Sequence, residues 1–450
     1  MPTIFMASLG CAKNLVDAET MLGETLDDEF SLTADPSGAD VIIVNTCGFI
    51  EDARQEAREV IAEYLNLKRR AGNRIKVVAA GCWAERSPDD LKREFPALDG
   101  IWGLDIPSAL RDAIRKLRAP VVVDGIGVPE RPREGARLVT TLPSFAYLRL
   151  SDGCDNRCHY CAIPLIRGGL RSRTPEAVLE EARNLEDQGA RELVVISQDT
   201  TAYGHDLKQP EISLRSLLEK LLSTVKVPRI RLLYAHPAHL DDGVIEMLRS
   251  EDRLCRYLDL PIQHVADSVL NRMGRGYGRD RILRILDGLG DGFTVRTTIL
   301  TGFPGESEDD FRQALALVRE GRFQHLGAFA YSPEEGTLAF DFPDPVPAET
   351  AARRRDELME AQSRVAFDWL DSRIGGKERV LVDARLDREW VVGRSVHEAP
   401  DADGGIYIHD ARIMPGDIIE ACITAREGYD LMAEAAVANQ DRKRRGRRRK

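Results

Sequence analysis

The chain has little of what a membrane or secreted protein needs. Its 450 residues contain no apolar run near the roughly 18 residues that a membrane span requires. Residues 1–6 carry no lysine or arginine, so we expect no signal peptide. Eight cysteines are few for a disulfide framework in a chain of this length, and a reducing compartment suits them better. These absences predict a cytoplasmic protein that does not enter a membrane.

What is present indicates a globular protein with several domains. The chain is 43% hydrophobic and 30% charged, which is typical of a globular protein with solvent-exposed faces. Because single hydrophobic cores stop growing well below 450 residues, we expect roughly two to four domains.

Three cysteines stand close together in the middle of the chain, at Cys154, Cys158 and Cys161, after the strand-like run 145–150. Three thiolates on one loop can bind three irons of a 4Fe-4S cube and leave the fourth iron open to a cofactor. A zinc knuckle is the alternative, but structural zinc takes four ligands and no second CxxC pair follows. The CxxxCxxC spacing, with Tyr160 before the last cysteine, resembles the signature of radical S-adenosylmethionine enzymes.

Residues 1–118 alternate between strand and helix patterns. Apolar runs at 4–9, 41–45 and 76–80 precede helical patterns at 15–26, 51–70 and 87–95. Such alternation predicts an N-terminal domain with a doubly wound parallel sheet.

Each of the three apolar runs is followed by a cysteine: Cys11, Cys47 and Cys82. In an open parallel sheet, sites form beyond the carboxyl ends of the strands, so we expect these thiols to meet. The helix after Cys47 begins with Glu51 and Asp52, and its dipole should favour the thiolate form of that cysteine. A small buried hydrophobic role is the alternative for each cysteine taken alone.

The rest of the chain divides into four segments. Residues 119–143 are rich in proline, glycine and charge, which predicts a linker. Residues 144–374 contain six strand-like runs, which predict a partial (β/α)6 TIM-like barrel with a long exit helix at 347–374. Residues 375–440 contain five short strand patterns, which predict a small antiparallel β-barrel. Residues 441–450 form a basic tail that we expect to be disordered.

Loops after the barrel strands carry polar residues that could hold S-adenosylmethionine. Arginines near the cysteine loop, at 167, 171 and 173, could bind a carboxylate, and a solvated surface is the alternative. A plain loop-capping role is the alternative for the other residues. The predicted cofactor-binding residues are Tyr160, Arg171, Ser197, Gln198, Gln263 and Gly302.

Several segments together resemble the methylthiotransferases, over nearly the whole chain. They are SLGCAKN at 8–14, NTC at 45–47, GC at 81–82, SDGCDNRCHYC at 151–161, and the stretches 260–264 and 302–306. The resemblance implies a 4Fe-4S cluster on Cys154, Cys158 and Cys161 that cleaves S-adenosylmethionine to a radical. It also implies a second 4Fe-4S cluster on Cys11, Cys47 and Cys82 that supplies sulfur, a second S-adenosylmethionine that supplies the methyl group, and a one-electron donor such as flavodoxin or ferredoxin.

Within that family, CAKN and the 151–161 block are most similar to members that modify the β-carbon of an aspartate in small-subunit ribosomal protein S-twelve. The last domain resembles a TRAM domain. Residues 375–440 hold seven Lys or Arg and thirteen Asp or Glu, a net charge of minus six. Because phosphate binding needs a basic face, this charge argues against tRNA and favours a basic protein partner. Candidates for that acidic surface are Asp387, Glu389, Asp401 and Asp403.

Two alternatives stay open at this point. A tRNA methylthiotransferase would use the same scaffold, and a non-catalytic iron-sulfur protein would carry electrons. Electron carriers bind every iron through protein ligands, so two sets of three cysteines weigh against the second alternative.

Overall fold

The computed structural model describes residues 2–23, 30–105, 114, 122–130 and 136–436. In chain order, these residues form a parallel sheet with helices, an open parallel barrel and a small closed barrel. The predicted basic tail at 441–450 lies outside the described residues, as does part of the predicted linker. None of the described helices has the length and low charge that would let it cross a membrane.

The N-terminal sheet is parallel throughout, with strand order β2-β1-β3-β4-β5-β6. Strand β3 is completely buried because its residues, Val-Ile-Ile-Val-Asn-Thr, are covered on both faces, as is usual for a parallel sheet. The elements are β1 Thr3–Ser8, α1 Ala12–Gly23, β2 Ser31–Leu32, β3 Val41–Thr46, α2 Glu51–Arg70, β4 Lys76–Gly81, α3 Cys82–Arg86, α4 Pro88–Glu94, β5 Gly100–Trp102 and β6 Val122–Asp124.

The predicted domain boundary at residue 118 is too early. Strand β6 pairs in parallel with β5, and Asp124 lies opposite Trp102, so residues 122–124 belong to the sheet and not to the linker. A three-residue strand is too short for a periodic pattern, and only pairing with β5 orders it.

The central sheet has the order β14-β13-β12-β11-β10-β7, and all its strands are parallel. Edge strands β7 and β14 are not neighbours in the described sheet, so the barrel is open. Its elements are β7 Phe145–Arg149, β8 Ser151–Asp152, α5 Ile163–Arg167, β9 Arg171–Ser172, α6 Pro175–Asp187, β10 Glu192–Ile196, α7 Leu214–Thr224, β11 Arg229–Leu232, α8 Asp242–Ser250, β12 Leu254–Asp259, α9 Asp267–Arg272, α10 Arg279–Leu289, β13 Thr294–Thr301, α11 Glu308–Arg319, β14 His325–Ala330 and α12 Ala348–Ser372.

The described strands thus include all six that the sequence predicted for this barrel, and α12 corresponds to the predicted exit helix. Two short strands were not predicted: β8 and β9 pair antiparallel on either side of the cysteine loop. Their pairing brings the two ends of that loop together.

The C-terminal strands form a closed barrel with the order β15-β16-β17-β19-β18. The predicted antiparallel arrangement needs one correction, because β17 and β19 pair in parallel. The strands are β15 Lys377–Arg385, β16 Trp390–Arg394, β17 Ile406–His409, β18 Ile418–Glu427 and β19 Asp430–Ala435.

The interior of the open barrel is filled from two sides. Tyr147 and Tyr257 belong to a buried apolar cluster that also contains Val16 from helix α1 and Ala399 from the segment after β16. The N-terminal and C-terminal parts therefore both pack into the central barrel, which fixes their positions relative to it.

The contact with the small barrel is strongly polar. Glu192 is fully buried, and its carboxylate accepts hydrogen bonds from Arg231 at 2.6 Å and from Arg394 at 3.2 Å. Asp401 accepts a hydrogen bond from the Tyr147 hydroxyl at 2.8 Å.

One residue predicted for the acidic docking surface, Asp403, has its side chain buried in this contact instead. The Asp403 carboxylate accepts a hydrogen bond from the Tyr257 hydroxyl at 2.6 Å, whereas Asp401 is exposed although it bonds to Tyr147. Asp387 and Glu389 are exposed, in agreement with their predicted place. A count of charges in the sequence does not single out Asp403, because its side chain is buried only by the folded contact.

Candidate active site

Six cysteines line one cavity of about 480 Å³ between the N-terminal sheet and the central barrel. Cys11, Cys47 and Cys82 follow strands β1, β3 and β4. Cys154, Cys158 and Cys161 lie on the loop between β8 and α5. The two parallel sheets thus direct the carboxyl ends of their strands at the same space, where sites in such folds form.

The loops of the N-terminal set approach one another closely. Gly10 has φ +86°, and a Cβ at that position would lie 2.8 Å from the Cβ of Cys47. The side-chain amide of Asn14 donates to the carbonyls of Leu9 at 3.1 Å and Thr46 at 3.0 Å, and its oxygen lies 3.2 Å from the Cys82 sulfur. A glycine before the first cysteine and an asparagine three residues after it thus hold the three loops together.

Arg167 connects the central part to the N-terminal cysteine set. Its guanidinium lies 3.3 Å from the Cys82 sulfur, 2.6 Å from a carboxylate oxygen of Asp17 and 3.0 Å from Asp152. The side chain is buried, as is that of Arg173, so the solvated-surface alternative is wrong for both arginines. Helix α5, directly after the second cysteine set, carries Arg167 toward the first set.

Burial dominates the electrostatics of Cys47 and Cys82. It raises the pKa of Cys47, and it raises the pKa of Cys82 to about 12, although Arg167 acts in the opposite direction on both. The expected thiolate character of Cys47 at the start of α2 is therefore outweighed by desolvation.

Cys11 differs from its two partners. Cys11 is exposed to the cavity. Desolvation by the surrounding protein raises its pKa, but the positive charges of Lys13 and Arg167 and two backbone hydrogen bonds outweigh it, so the pKa of Cys11 is lowered. Iron ligation requires thiolates, so loading of this set with iron should release protons.

The second cysteine loop is held by its neighbours. The Asn156 amide donates to the Asp199 carboxylate at 2.7 Å, and the His159 backbone amide donates to the Met273 carbonyl at 2.9 Å. Burial raises the pKa of Cys154 to about 11. These contacts, from the loops after β10 and α9, hold the cysteine loop in position.

Arg275 lies beside this loop and is buried. Its guanidinium donates to the Cys158 sulfur at 3.2 Å and to the Tyr160 hydroxyl at 3.1 Å. Burial also raises the pKa of Cys161 to about 12. Arg275 therefore supplies positive charge at the site where three thiolates would bind iron.

Three of the six predicted cofactor-binding residues line the cavity: Tyr160, Gln198 and Gln263. The side-chain oxygens of Gln198 and Gln263 are buried and have no hydrogen-bond partner in the described part of the chain. Gln263 also has φ +65°, a strained angle for a residue with a side chain. Unpaired polar atoms in a largely apolar cavity suit a ligand with polar groups.

The other three predicted residues do not line the cavity. Arg171 donates to two backbone carbonyls of its own loop, each at 2.9 Å, and Ser197 bonds to the Ser151 hydroxyl at 2.9 Å. Gly302 has φ +76°, and a Cβ there would overlap the Cβ of Ala351 in helix α12. These residues stabilise the loops after the strands and the packing of the exit helix.

Several residues of the cavity wall were not selected from the sequence. Lys13 lies with its Nζ 3.2 Å from the centre of the Tyr234 ring, and Arg275 and His236 are close by. The Nε2 atom of His236 is buried without a described partner, and burial and Arg275 lower the pKa of this histidine to about 3. Lys13 was visible in the motif at 8–14, and His236 follows strand β11, where the sequence predicts polar residues that line the cavity. Arg275 carries no local pattern and reaches the site only through folding.

The donor set fits two iron-sulfur clusters, because it offers two separate groups of three thiols and apolar walls between them. An open parallel barrel with a CxxxCxxC loop at the carboxyl ends of its strands defines a radical S-adenosylmethionine protein. A family model agrees: the radical SAM superfamily matches residues 148–318. The uncharacterized protein family UPF0004 matches residues 3–103, and the TRAM domain matches residues 374–436.

Curated relatives are similar over almost the full chain. The ribosomal protein uS12 methylthiotransferase RimO of Geobacter sulfurreducens is 41% identical, covering 96% of this chain and 98% of its own. The protein of the same name from Aquifex aeolicus is 38% identical, covering 95% of this chain and 96% of its own. The chain belongs to the RimO family of radical S-adenosylmethionine methylthiotransferases, and the predicted family is confirmed.

A solved structure supports the fold. The radical S-adenosylmethionine methyltransferase TsrM from Kitasatospora setae, with cobalamin and a 4Fe-4S cluster bound, aligns with a TM-score of 0.53. The two chains are 17% identical, and the alignment covers 75% of this chain and 77% of TsrM. At that identity the likeness concerns the fold alone, and the predicted α/β fold class is confirmed.

Proposed function

We propose that this chain transfers a methylthio group to the β-carbon of an aspartate in ribosomal protein uS12, the S-twelve protein of the small subunit. The observation that carries the proposal is the single cavity lined by both sets of three cysteines. A site with one set of three cysteines would suit many radical reactions. Two sets in one cavity suit a reaction in which the cluster on one set activates a carbon and the cluster on the other delivers sulfur.

The cofactors of the family are S-adenosylmethionine and two 4Fe-4S clusters. We assign one cluster with S-adenosylmethionine to Cys154, Cys158 and Cys161, and the other to Cys11, Cys47 and Cys82. When bound, these groups supply the one-electron chemistry and the methylthio group. Tyr160, Gln198 and Gln263 are the proposed contacts to S-adenosylmethionine.

The residues of this chain bind and orient the cofactors and keep water out of the cavity. Arg275 and Arg167 donate to cysteine sulfurs of the two sets and neutralise negative charge there. Phe49 and Phe329 belong to the cavity wall, and the wall is mainly apolar. Water that is kept out of the cavity cannot quench a reactive carbon centre.

The partners follow from the same proposal. A one-electron donor such as flavodoxin or ferredoxin must reduce the central cluster, and a protein that meets ribosomal protein would act in the cytoplasm. The tRNA alternative is less favoured, because residues 375–440 have a net charge of minus six. Binding of the phosphate backbone of tRNA needs a basic surface.

Iron content and product analysis test the proposal together. Anaerobically reconstituted protein should carry about eight irons, from two clusters of four. A variant with alanine at Cys154, Cys158 and Cys161 should hold half of that iron and should not cleave S-adenosylmethionine. A variant with alanine at Cys11, Cys47 and Cys82 should also hold half, should still cleave S-adenosylmethionine, and should leave uS12 unmodified by mass spectrometry.

Matched controls are Cys255→Ala and Cys422→Ala, which replace cysteines outside the cavity and should change neither iron content nor product. Loss of all iron from either triple variant would contradict independent sites. Methylthiolated tRNA with unmodified uS12 would contradict the proposed substrate.

A further inference from the structure

A buried lysine lies in the cavity between the two cysteine sets. Lys13 is 8% exposed and stands two residues after Cys11. Its Nζ lies 3.2 Å from the centre of the Tyr234 ring. Burying an ammonium group is costly unless an anion or several acceptors partner it, so the position calls for a partner.

The other two cations of the cavity wall already have partners. Arg167 bonds to the carboxylates of Asp17 and Asp152, and Arg275 bonds to the Pro261 carbonyl at 2.9 Å as well as to the Cys158 sulfur. Lys13 forms no ion pair with a carboxylate among the residues that the structure describes. The described cavity wall contains no aspartate or glutamate at all.

Tyr234 is held in place beneath the ammonium group. It has φ +62°, a strained angle that persists only where the surroundings impose it, as they often do at functional sites. Its backbone amide donates to the buried Asp259 carboxyl at 2.9 Å, which fixes this conformation. The Lys13 ammonium group lies over the Tyr234 ring and also interacts with its hydroxyl. Because an ammonium group has three N–H donors and one hydroxyl does not use them all, donors of Lys13 remain available to a ligand in the cavity.

We propose that Lys13 binds the side-chain carboxylate of the residue to be modified, and so makes the site specific for aspartate. This inference rests on the proposed function. In aspartate the carboxylate carbon is bonded directly to the β-carbon, so an ammonium group that holds the carboxylate also holds the reacting carbon. The position beside Cys11 places that carbon near the set assigned to sulfur delivery. Ammonium–carboxylate hydrogen bonds are among the stronger ones available to a protein.

Comparing two forms of uS12 tests the inference. The reconstituted enzyme is titrated with uS12 and with uS12 that carries asparagine at the modified position. The wild-type enzyme should prefer the aspartate form at least about tenfold, which corresponds to about 1.4 kcal/mol. In Lys13→Gln and Lys13→Met the two affinities should become nearly equal. Lys226→Gln changes an exposed lysine away from the cavity and should keep the preference.

The outcomes separate this inference from the proposed function. If the wild-type enzyme binds neither form of uS12, both the proposed function and the inference are wrong. If it binds both forms and the Lys13 variants keep the wild-type preference, only the inference is overturned. Two further results overturn it as well. Loss of iron from the Lys13 variants would mean that Lys13 serves to balance the charge of the cluster on Cys11, Cys47 and Cys82. A weaker affinity for S-adenosylmethionine, with an unchanged preference for the aspartate form of uS12, would mean that Lys13 binds the cofactor.

Discussion

The buried carboxylate of Glu192 joins the small C-terminal barrel to the central barrel, and its removal is the sharpest stability test. Arg231 donates to it at 2.6 Å and Arg394 at 3.2 Å, and the Glu192 side chain has no exposed surface. In Glu192→Gln the two guanidinium groups stay buried and lose their shared anion. Breaking a buried ion pair from one side typically costs about 3–5 kcal/mol.

The pKa of Glu192 gives a second measure of the same contact. Burial raises it, but Arg231, Arg394 and Arg229 outweigh burial and lower the pKa from 4.5 to about 2. At about 1.36 kcal/mol for each pKa unit, this lowering is worth about 3 kcal/mol. Because the folded-state pKa is depressed, the contribution is complete above the unfolded-state pKa and is lost as pH falls through about 4 toward 2.

Hydrogen exchange of strands β15 and β16 measures this effect locally, without assuming that all three domains unfold together. In Glu192→Gln a loss of about 3 kcal/mol should speed their exchange roughly hundredfold at neutral pH. The control is Glu219→Gln, an exposed helix residue that pairs with Arg215 at 3.2 Å and should change exchange very little. Equal exchange in Glu192→Gln and wild type would refute the view that this carboxylate anchors the barrel.

Two further predictions concern packing and charge. Gly302→Ala should destabilise the protein more than Gly72→Ala in urea unfolding, because both positions have positive φ but only Gly302 faces a neighbour, Ala351, that a Cβ would overlap. Backbone strain costs about 1–2 kcal/mol at either site, and overpacking adds about 1–3 kcal/mol at Gly302. Glu389→Lys and Glu420→Lys, at exposed positions, should slow association with uS12 in low salt, and the difference from wild type should shrink as salt rises. Unchanged rates at low salt would argue against an acidic docking surface.

The buried contacts between the small barrel and the central barrel make deletion of the small barrel a poor test of its role in substrate binding. Removal of residues 378–450 would take away Ala399 and Arg394, which pack against or bond to the central barrel. Such a deletion exposes the barrel interior and leaves Glu192 unpaired with Arg394, so loss of function would not isolate a role in substrate binding. Point changes at exposed residues separate docking from stability.

Local sequence determined the chemistry and most of the elements. Helix α2 runs over Glu51–Arg70 as its pattern predicts, and the strands of the central barrel follow their apolar runs. The cysteine spacing at 154–161 is a local feature too, because it depends only on neighbours in the chain. The three cysteines of the N-terminal domain each follow a strand, and parallel strands place such residues at the same edge of the sheet. Family and fold class could therefore be predicted before any distance was known.

Tertiary structure decided which side chains share the cavity and which are buried. Arg275 reaches Cys158, and Arg167 reaches Cys82, across more than eighty residues of sequence, and no local pattern encodes such contacts. Asp387 and Asp403 look alike in the sequence, yet one is exposed and the other is sealed against Tyr257. The reason is physical: periodicity reports the face of one element, whereas burial of a charge and the free energy of its partners are settled only when separate elements pack together.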